Sequence, residues 1–261
     1  MNQNESTVIY RREGAIAYIT LNRPDVLNAI NADLARDFLA TCQELSTDKN
    51  IRVVVINAAG RAFAAGGDLA QFRQDPLSVP EVLIDPMHEA ILLLAHLQAP
   101  VIASLHGAVS GAGMSLALAC DLAIAADNTR FNLAYAKVGA SCDLGASWNL
   151  PRLVGMRRAL EIALLSDTLD AESALRLGLV NAVVAHDALV EQTHQMATRL
   201  AGSPGVALGI LKRLIRNSFN TELAEQLSAE RAGFARCSET EDFREGVAAF
   251  LDRRPAVYKG R

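Results

Sequence analysis

Two glycine-rich turns carry the residue types best suited to chemistry. The first runs Arg61-Ala62-Phe63-Ala64-Ala65-Gly66-Gly67-Asp68-Leu69, shortly after the β-branched run Arg52–Asn57. The second runs Gly107-Ala108-Val109-Ser110-Gly111-Ala112-Gly113-Met114-Ser115, between a strand-like and a helix-like segment. Small side chains let backbone N–H groups approach a ligand closely, and a helix N-terminus adds a dipole that favours negative charge. Two N–H groups converging on one point form an oxyanion hole, worth about 3–4 kcal/mol per donor. The same turns would serve tight strand–helix packing equally well. Nucleotide binding fits poorly, because residues 107–113 read G-x-x-x-G-x-G, which is neither dinucleotide fingerprint nor phosphate loop, and no lysine stands there.

Asp143, within Gly139-Ala140-Ser141-Cys142-Asp143-Leu144-Gly145-Ala146-Ser147-Trp148, reads from its position as an N-cap for a helix starting near Gly145. A carboxylate there is also a candidate acid or base. Cys142 adjoins it, but no histidine is close in sequence to activate the thiol, so it reads as a wall residue. His106, His186 and His194 read as structural or surface groups, and Asp170 and Glu172 suit a helix start. His88 lies on an amphipathic helix, where packing alone would explain it. The four cysteines (Cys42, Cys120, Cys142, Cys237) show no C-x-x-C and no metal-like pairing with histidine, so reduced thiols in a cytoplasmic setting are expected.

The elements that must position these residues follow from periodicity. Thr7–Arg11 and Ala15–Leu21 read as strands hinged at Glu13-Gly14. Asn31 and Asp33 open an amphipathic helix to about Ser46, with Leu34, Phe38 and Cys42 on one face. Arg52–Asn57 has the pattern of a strand buried on both faces. A helix over about Asp85–Leu97, with Pro86 in its first turn, precedes strand Val101–Leu105, a helix from about Ala112 and strand Asp121–Ala126. Gln71–Ile84 shows no readable structure. Past Ala185 the pattern is helical only, at about Asp187–Ala201, Gly205–Asn217, Thr221–Cys237 and Glu239–Arg253. Alternating strands and helices imply an α/β layout, here a core over 1–185 with a helical C-terminal region over 186–261.

Composition limits the function. The chain has 261 residues, 51% hydrophobic and 21% charged, with a formal net charge of -4. That suits an ordinary globular protein and supplies no basic field for nucleic acid. Val101–Ala126, the most apolar stretch, is broken by His106, glycines and Asp121, so no membrane span is expected. The segment MNQNESTVIYRREG has no apolar region of the kind a secretory signal needs.

In order and spacing the motifs resemble the enoyl-CoA hydratase/isomerase (crotonase) superfamily. The resemblance rests on Leu21-Asn22-Arg23-Pro24 with Leu27-Asn28-Ala29, on Phe63 to Leu69, on Pro100-Val101-Ile102-Ala103 leading to Gly107, and on Cys120-Asp121. It continues through Leu150-Pro151-Arg152-Leu153-Val154-Gly155, Gly178-Leu179-Val180, and Glu245 to Leu251. It implies a spiral of β-β-α units whose C-terminal helices build a homotrimer or a dimer of trimers. It also implies an acyl-CoA thioester substrate, with coenzyme A part of the substrate and no separate cofactor.

On matching positions, the thioester oxygen would sit between the peptide N–H groups of Gly67 and Ala112, the latter replacing the commoner glycine. The two hydratase glutamates fall at Ser115 and Tyr135, neither a carboxylate, so two-carboxylate hydration is in doubt. Asp143 sits where isomerase-like members, similar to the ring-opening isomerase of phenylacetate breakdown, carry a catalytic aspartate. Isomerisation of an enoyl-CoA by one carboxylate is therefore the expectation. Alternatives are a hydratase, a dehalogenase- or thioesterase-like member with an aspartate nucleophile, and a non-catalytic CoA-ester binder. His88 and Tyr135 match a histidine and an aromatic of the dehalogenase. Val26 and Ala65 match positions that meet the adenine end, and Phe250 and Arg253 match nucleotide contacts of the last helix. Leu69, Met114, Ser115, Tyr135 and His88 would line the acyl site. Asp68 and Asp121 match structural carboxylates that bond local backbone.

Overall fold

The computed structural model describes residues 6–260, so the first five residues of the segment read for a secretory signal lie outside the described residues. In chain order the first elements are β1 (Val8–Glu13), β2 (Ile16–Leu21), α1 (Ala32–Thr47), β3 (Val53–Ala58), α2 (Leu69–Gln74) and α3 (Asp85–His96). The second glycine turn lies among β4 (Val101–Leu105), β5 (Ala108–Ser110) and α4 (Ala112–Ala119), followed by β6 (Leu122–Ala126) and β7 (Arg130–Asn132). Then come α5 (Ala146–Val154), α6 (Met156–Leu165), β8 (Leu169–Asp170), α7 (Ala171–Arg176) and β9 (Ala182–Val184). Four helices complete the described chain: α8 (Leu189–Ala201), α9 (Gly205–Asn217), α10 (Leu223–Ser238) and α11 (Glu241–Leu251).

A six-stranded sheet has the order β1-β2-β3-β4-β6-β9, and a second sheet has the order β5-β7-β8. Within the larger sheet every pairing is parallel except the β1–β2 hairpin. The strand β3 explains why: Val53 to Ile56 are all fully buried, which only a central strand covered on both faces permits. Val54 and Ile56 face the main core with α1, α3 and α4, whereas Val53 and Val55 pack with Ala197, Met196 and Leu200 of α8. Asn31 starts α1 as foreseen, its side chain accepting from the Leu34 N–H at 3.0 Å.

The structure departs from the sequence reading at short elements. The stretch 71–84 is ordered, with α2 capped by Asp68, which accepts from Ala70 N and Gln71 N, and a π-helical turn over Pro80–Ile84 running into α3. A six-residue helix has too few turns for periodicity to reveal. β5, β7 and β8 also went unread, since strands of two or three residues gain their hydrogen bonds from distant partners. The last helix ends at Leu251, two residues before Arg253. Among the described residues no helix is long and apolar enough to cross a membrane.

Asp121 does more than bond local backbone. It accepts from Val101 N at 2.8 Å and pairs with Lys212 Nζ at 2.8 Å and Arg216 Nη2 at 2.7 Å, tying α9 to the sheet. Lys212 spends its remaining donors on the carbonyl oxygens of Leu94 and Ala99. Its side chain is only 6% exposed, and burial lowers the pKa of its ammonium group, an effect that the Asp121 charge opposes. Removing the acid leaves the buried Lys212 and the half-buried Arg216 facing each other, a larger penalty than removing one cation. Asp121→Ala is therefore expected to lower stability in urea unfolding by about 3–5 kcal/mol. Lys212→Met should cost clearly less, and equal losses would contradict this account.

Candidate active site

The two glycine turns are in direct contact. Ala64 N donates to Ala108 O at 3.1 Å and Ser110 N donates to Ala64 O at 2.9 Å, a parallel bridge between the turns. Gly113 must lack a side chain, because a Cβ there would lie 2.5 Å from Ala64 O. Gly111 has φ +49°, and a Cβ on it would lie 3.4 Å from Gly66 Cα. The sequence left open whether these glycines serve packing or ligand approach; the packing role is real and holds the following residues beside each other.

Those residues are Gly67 and Ala112. Among the described residues neither peptide N–H has a hydrogen-bond partner. For Ala112 the reason is its place as the first residue of α4, where no carbonyl precedes it in the helix. Ala112 is 2% exposed and packed in the main core. On the other turn the Phe72 ring of α2 abuts Gly67, since a Cβ on Gly67 would overlap the ring tip. Phe72 was missed from sequence because its stretch carried no legible element.

Asp143 arrives from a loop between a 3-10 turn over Tyr135–Val138 and α5. It does not cap α5: the N-cap is Gly145, with no side-chain cap bond. Instead the Tyr135 hydroxyl donates to Asp143 Oδ1. The Tyr135 hydroxyl lies 2.9 Å from Ser115 Oγ, which is itself 3.3 Å from the Gly111 carbonyl oxygen. Burial raises the pKa of the Asp143 carboxyl, opposed chiefly by the Tyr135 hydrogen bond. Burial, reinforced by the Asp143 charge, also pushes the Tyr135 hydroxyl up, so it stays a proton donor.

His88 holds the same loop from α3. Its Nε2 accepts from Leu144 N at 3.1 Å, which places the ring proton on Nδ1. Leu144 is fully buried yet has φ +49°, a left-handed conformation costly for a branched residue. That conformation persists because the buried side chain and the His88 bond over-determine it.

The remaining candidates divide into two groups. Met114 is buried in α4, and Leu69 is exposed at the start of α2. Val26 ends a 3-10 turn over Pro24–Val26, and Ala65 N donates to Leu27 O at 3.0 Å, so both lie along the first glycine turn. Asp68 pairs with Arg23 at 3.0 Å beneath them. Phe250 and Arg253 are not brought to this group. Phe250 is 84% exposed on α11. The chain after α11 folds back so that Tyr258 and Gly260 lie against Arg52, at the opening end of β3, whereas the glycine turns follow its far end. Cys142 is a free, half-buried thiol against the core. His106 hydrogen-bonds Gly60 O at 2.9 Å and His194 bonds the Tyr18 hydroxyl at 2.9 Å, both structural contacts. A cavity of about 380 Å³ beside Trp148 and Phe219 borders Asp121, Lys212 and Arg216, whose donors are committed to one another and to backbone.

The sequence profile of the enoyl-CoA hydratase/isomerase family matches residues 11–261. The chain is 35% identical to the 1,2-epoxyphenylacetyl-CoA isomerase of Escherichia coli, over 95% of this chain and 97% of that protein. It is 34% identical to the 2,3-dehydroadipyl-CoA hydratase of Escherichia coli, over 98% of this chain and 100% of that protein. An enoyl-CoA hydratase structure from Mycobacterium smegmatis superposes with a TM-score of 0.91 at 31% identity, covering 97% of this chain and 99% of that one. With a mixed α/β fold, paired glycine turns and a match along nearly its full length, the chain belongs to the enoyl-CoA hydratase/isomerase family.

Proposed function

We propose that this family member is an acyl-CoA isomerase that relocates a double bond with one carboxylate, Asp143. The observation that carries the reading is that Asp143 is the carboxylate joined to Ser115 and Tyr135, where glutamates would be needed for water addition. Asp143 takes a proton from one carbon of the acyl chain, and the C–H electron pair moves toward the thioester carbonyl. The oxygen that gains charge is held by the peptide N–H groups of Gly67 and Ala112, with the α4 dipole behind Ala112. The proton then returns to a different carbon, and no atom is added overall. Burial that raises the Asp143 pKa brings it nearer the range a general base needs. The hydratase name of the Escherichia coli dehydroadipyl-CoA relative favours water addition as the second reading.

The substrate reading extends to the coenzyme. Val26 and Ala65 would meet the adenine end, with Leu69, Met114 and His88 around the acyl group and coenzyme A the only cofactor-like moiety, carried by the substrate. Phe250 and Arg253, which the fold does not bring to this group, would serve the nucleotide of a neighbouring copy. That requires oligomers, and residues 186–261 would build them as a trimerisation region in a cytoplasmic enzyme. Leu211, Ile215, Phe219, Leu223 and Phe234 are exposed apolar side chains on and between α9 and α10 that suit such a surface. Sedimentation equilibrium is expected to give three or six copies, and a stable monomer at micromolar concentration would contradict the assembly.

Asp143→Asn is expected to lower turnover by about 10³-fold or more, while affinity for a CoA ester changes little. The same variant should melt at a higher temperature at neutral pH. The sign follows from linkage: a carboxyl whose folded pKa lies above its unfolded value favours folding at low pH, and that contribution is lost as pH rises through the folded value. Near neutrality the buried charge thus opposes folding, and the amide removes it. Full activity in Asp143→Asn would sink the mechanism.

A further inference from the structure

Ser115 and Tyr135 stand where a hydratase would keep its glutamates, and they are joined to Asp143 in one hydrogen-bonded chain. Ser115 comes from α4, Tyr135 from the 3-10 turn and Asp143 from the loop beyond it. The direction of the bonds follows from donor counting. An ionised carboxylate only accepts, so the single hydrogen of the Tyr135 hydroxyl goes to Asp143 Oδ1. Ser115 Oγ has one hydrogen and two acceptors in reach, the Gly111 carbonyl oxygen at 3.3 Å and the Tyr135 hydroxyl at 2.9 Å. With the Tyr135 hydrogen committed to Asp143, the shorter contact is made by turning the serine hydrogen to Tyr135 and giving up the longer one. Among the described residues no other side chain donates to Asp143.

We propose that Tyr135 is the positioning residue of the reaction: its hydroxyl, held by Ser115, occupies Oδ1 of Asp143 and leaves Oδ2 to exchange protons with the substrate. This deepens the isomerase reading and rests on Asp143 being its base. A carboxylate with both oxygens free could rotate and pass its proton on by either one. With Oδ1 committed, a proton taken from the first carbon resides on Oδ2, and Tyr135, already protonated, cannot accept it. The proton remains available for return to the second carbon. The C–H bond that breaks supplies the electron pair of the enolate, and the C–H bond that forms consumes it, so no co-reactant is needed.

The groups facing Asp143 are few. Tyr135 is on the 3-10 turn, His88 on α3 holds the neighbouring Leu144 N–H, Ser115 on α4 is not ionisable, and Cys142 is on the loop itself. Burial sets the direction of the Asp143 shift, and the Tyr135 hydrogen bond is the main influence opposing it, one that removal of a single atom can abolish.

The test is to follow the Asp143 carboxyl itself, by carbon NMR of the whole protein labelled at aspartate, assigned against Asp143→Asn. In Tyr135→Phe the Asp143 titration is expected to move upward by about 1–2 pH units, the value of a hydrogen bond to a charged group. The acidic limb of the pH profile of kcat/KM should move with it, while binding of an unreactive acyl-CoA thioether stays within about twofold of the original. Site-specific 3-fluorotyrosine at position 135 keeps the side-chain shape and strengthens the donor, and should move the titration downward; this variant decides the matter if Tyr135→Phe does not fold. An unmoved titration, with Asp143→Asn inactive, overturns the Tyr135 role and leaves Asp143 as the base. Full turnover by Asp143→Asn overturns both.

Discussion

The parallel bridge between Ala64 and Val109 is the contact on which the site depends. It joins the turn after β3 to the turn after β4, and with it the six-stranded sheet to the small sheet that β5 begins. Backbone can approach this closely only where side chains are absent, which is why Gly113 meets Ala64 O directly and Gly111 meets Gly66. The consequence reaches beyond packing. Once the turns are fixed, the next residue on each side, Gly67 and Ala112, presents a peptide N–H that has no partner among the described residues. Unpaired donors of this kind are costly in a folded protein, and they are retained here at the contact of two turns on the same side of the sheet.

A second constraint acts on the loop that carries Asp143. It is held at one end by Tyr135, at the other by the His88 bond to Leu144, and from below by the buried Leu144 side chain. Each hold carries a penalty: a left-handed leucine, a buried tyrosine hydroxyl and a carboxylate partly removed from water. Penalties gathered in the ten residues from Tyr135 to Leu144 and offset by the surrounding core are typical of a functional loop rather than a structural one. The Asp121–Lys212–Arg216 cluster is the useful contrast. There the charges are also largely withdrawn from water, Lys212 fully and its partners in part, but they neutralise one another, satisfy backbone carbonyls and join two parts of the fold.

Much of this was legible in the sequence, for physical reasons that can be named. Val53 to Ile56 could only be a strand covered on both faces, and the Asn31 cap with Leu34, Phe38 and Cys42 behind it could only open a helix. The glycine turns stood out because their composition is unusual over nine residues. What was hidden depends on contacts distant in the chain. Nothing local to Ser115 announces Tyr135, and nothing local to His88 announces Leu144. The reading of Asp143 as an N-cap was reasonable from its spacing to Gly145, but the glycine caps α5 by its own left-handed backbone and frees the carboxylate. α2, β5, β7 and β8 were too short for periodicity to register, and Phe72, which abuts Gly67, was lost with them.

The central claim is that one carboxylate moves a proton along the acyl chain without adding water. Mass spectrometry of a panel of β,γ- and α,β-enoyl-CoA thioesters incubated with the protein in deuterated water tests it most directly. The account predicts a product whose double bond has moved, with no oxygen gained and with any deuterium confined to the two carbons between which the proton passes. A product heavier by one molecule of deuterated water, formed at a rate matching turnover, would contradict it.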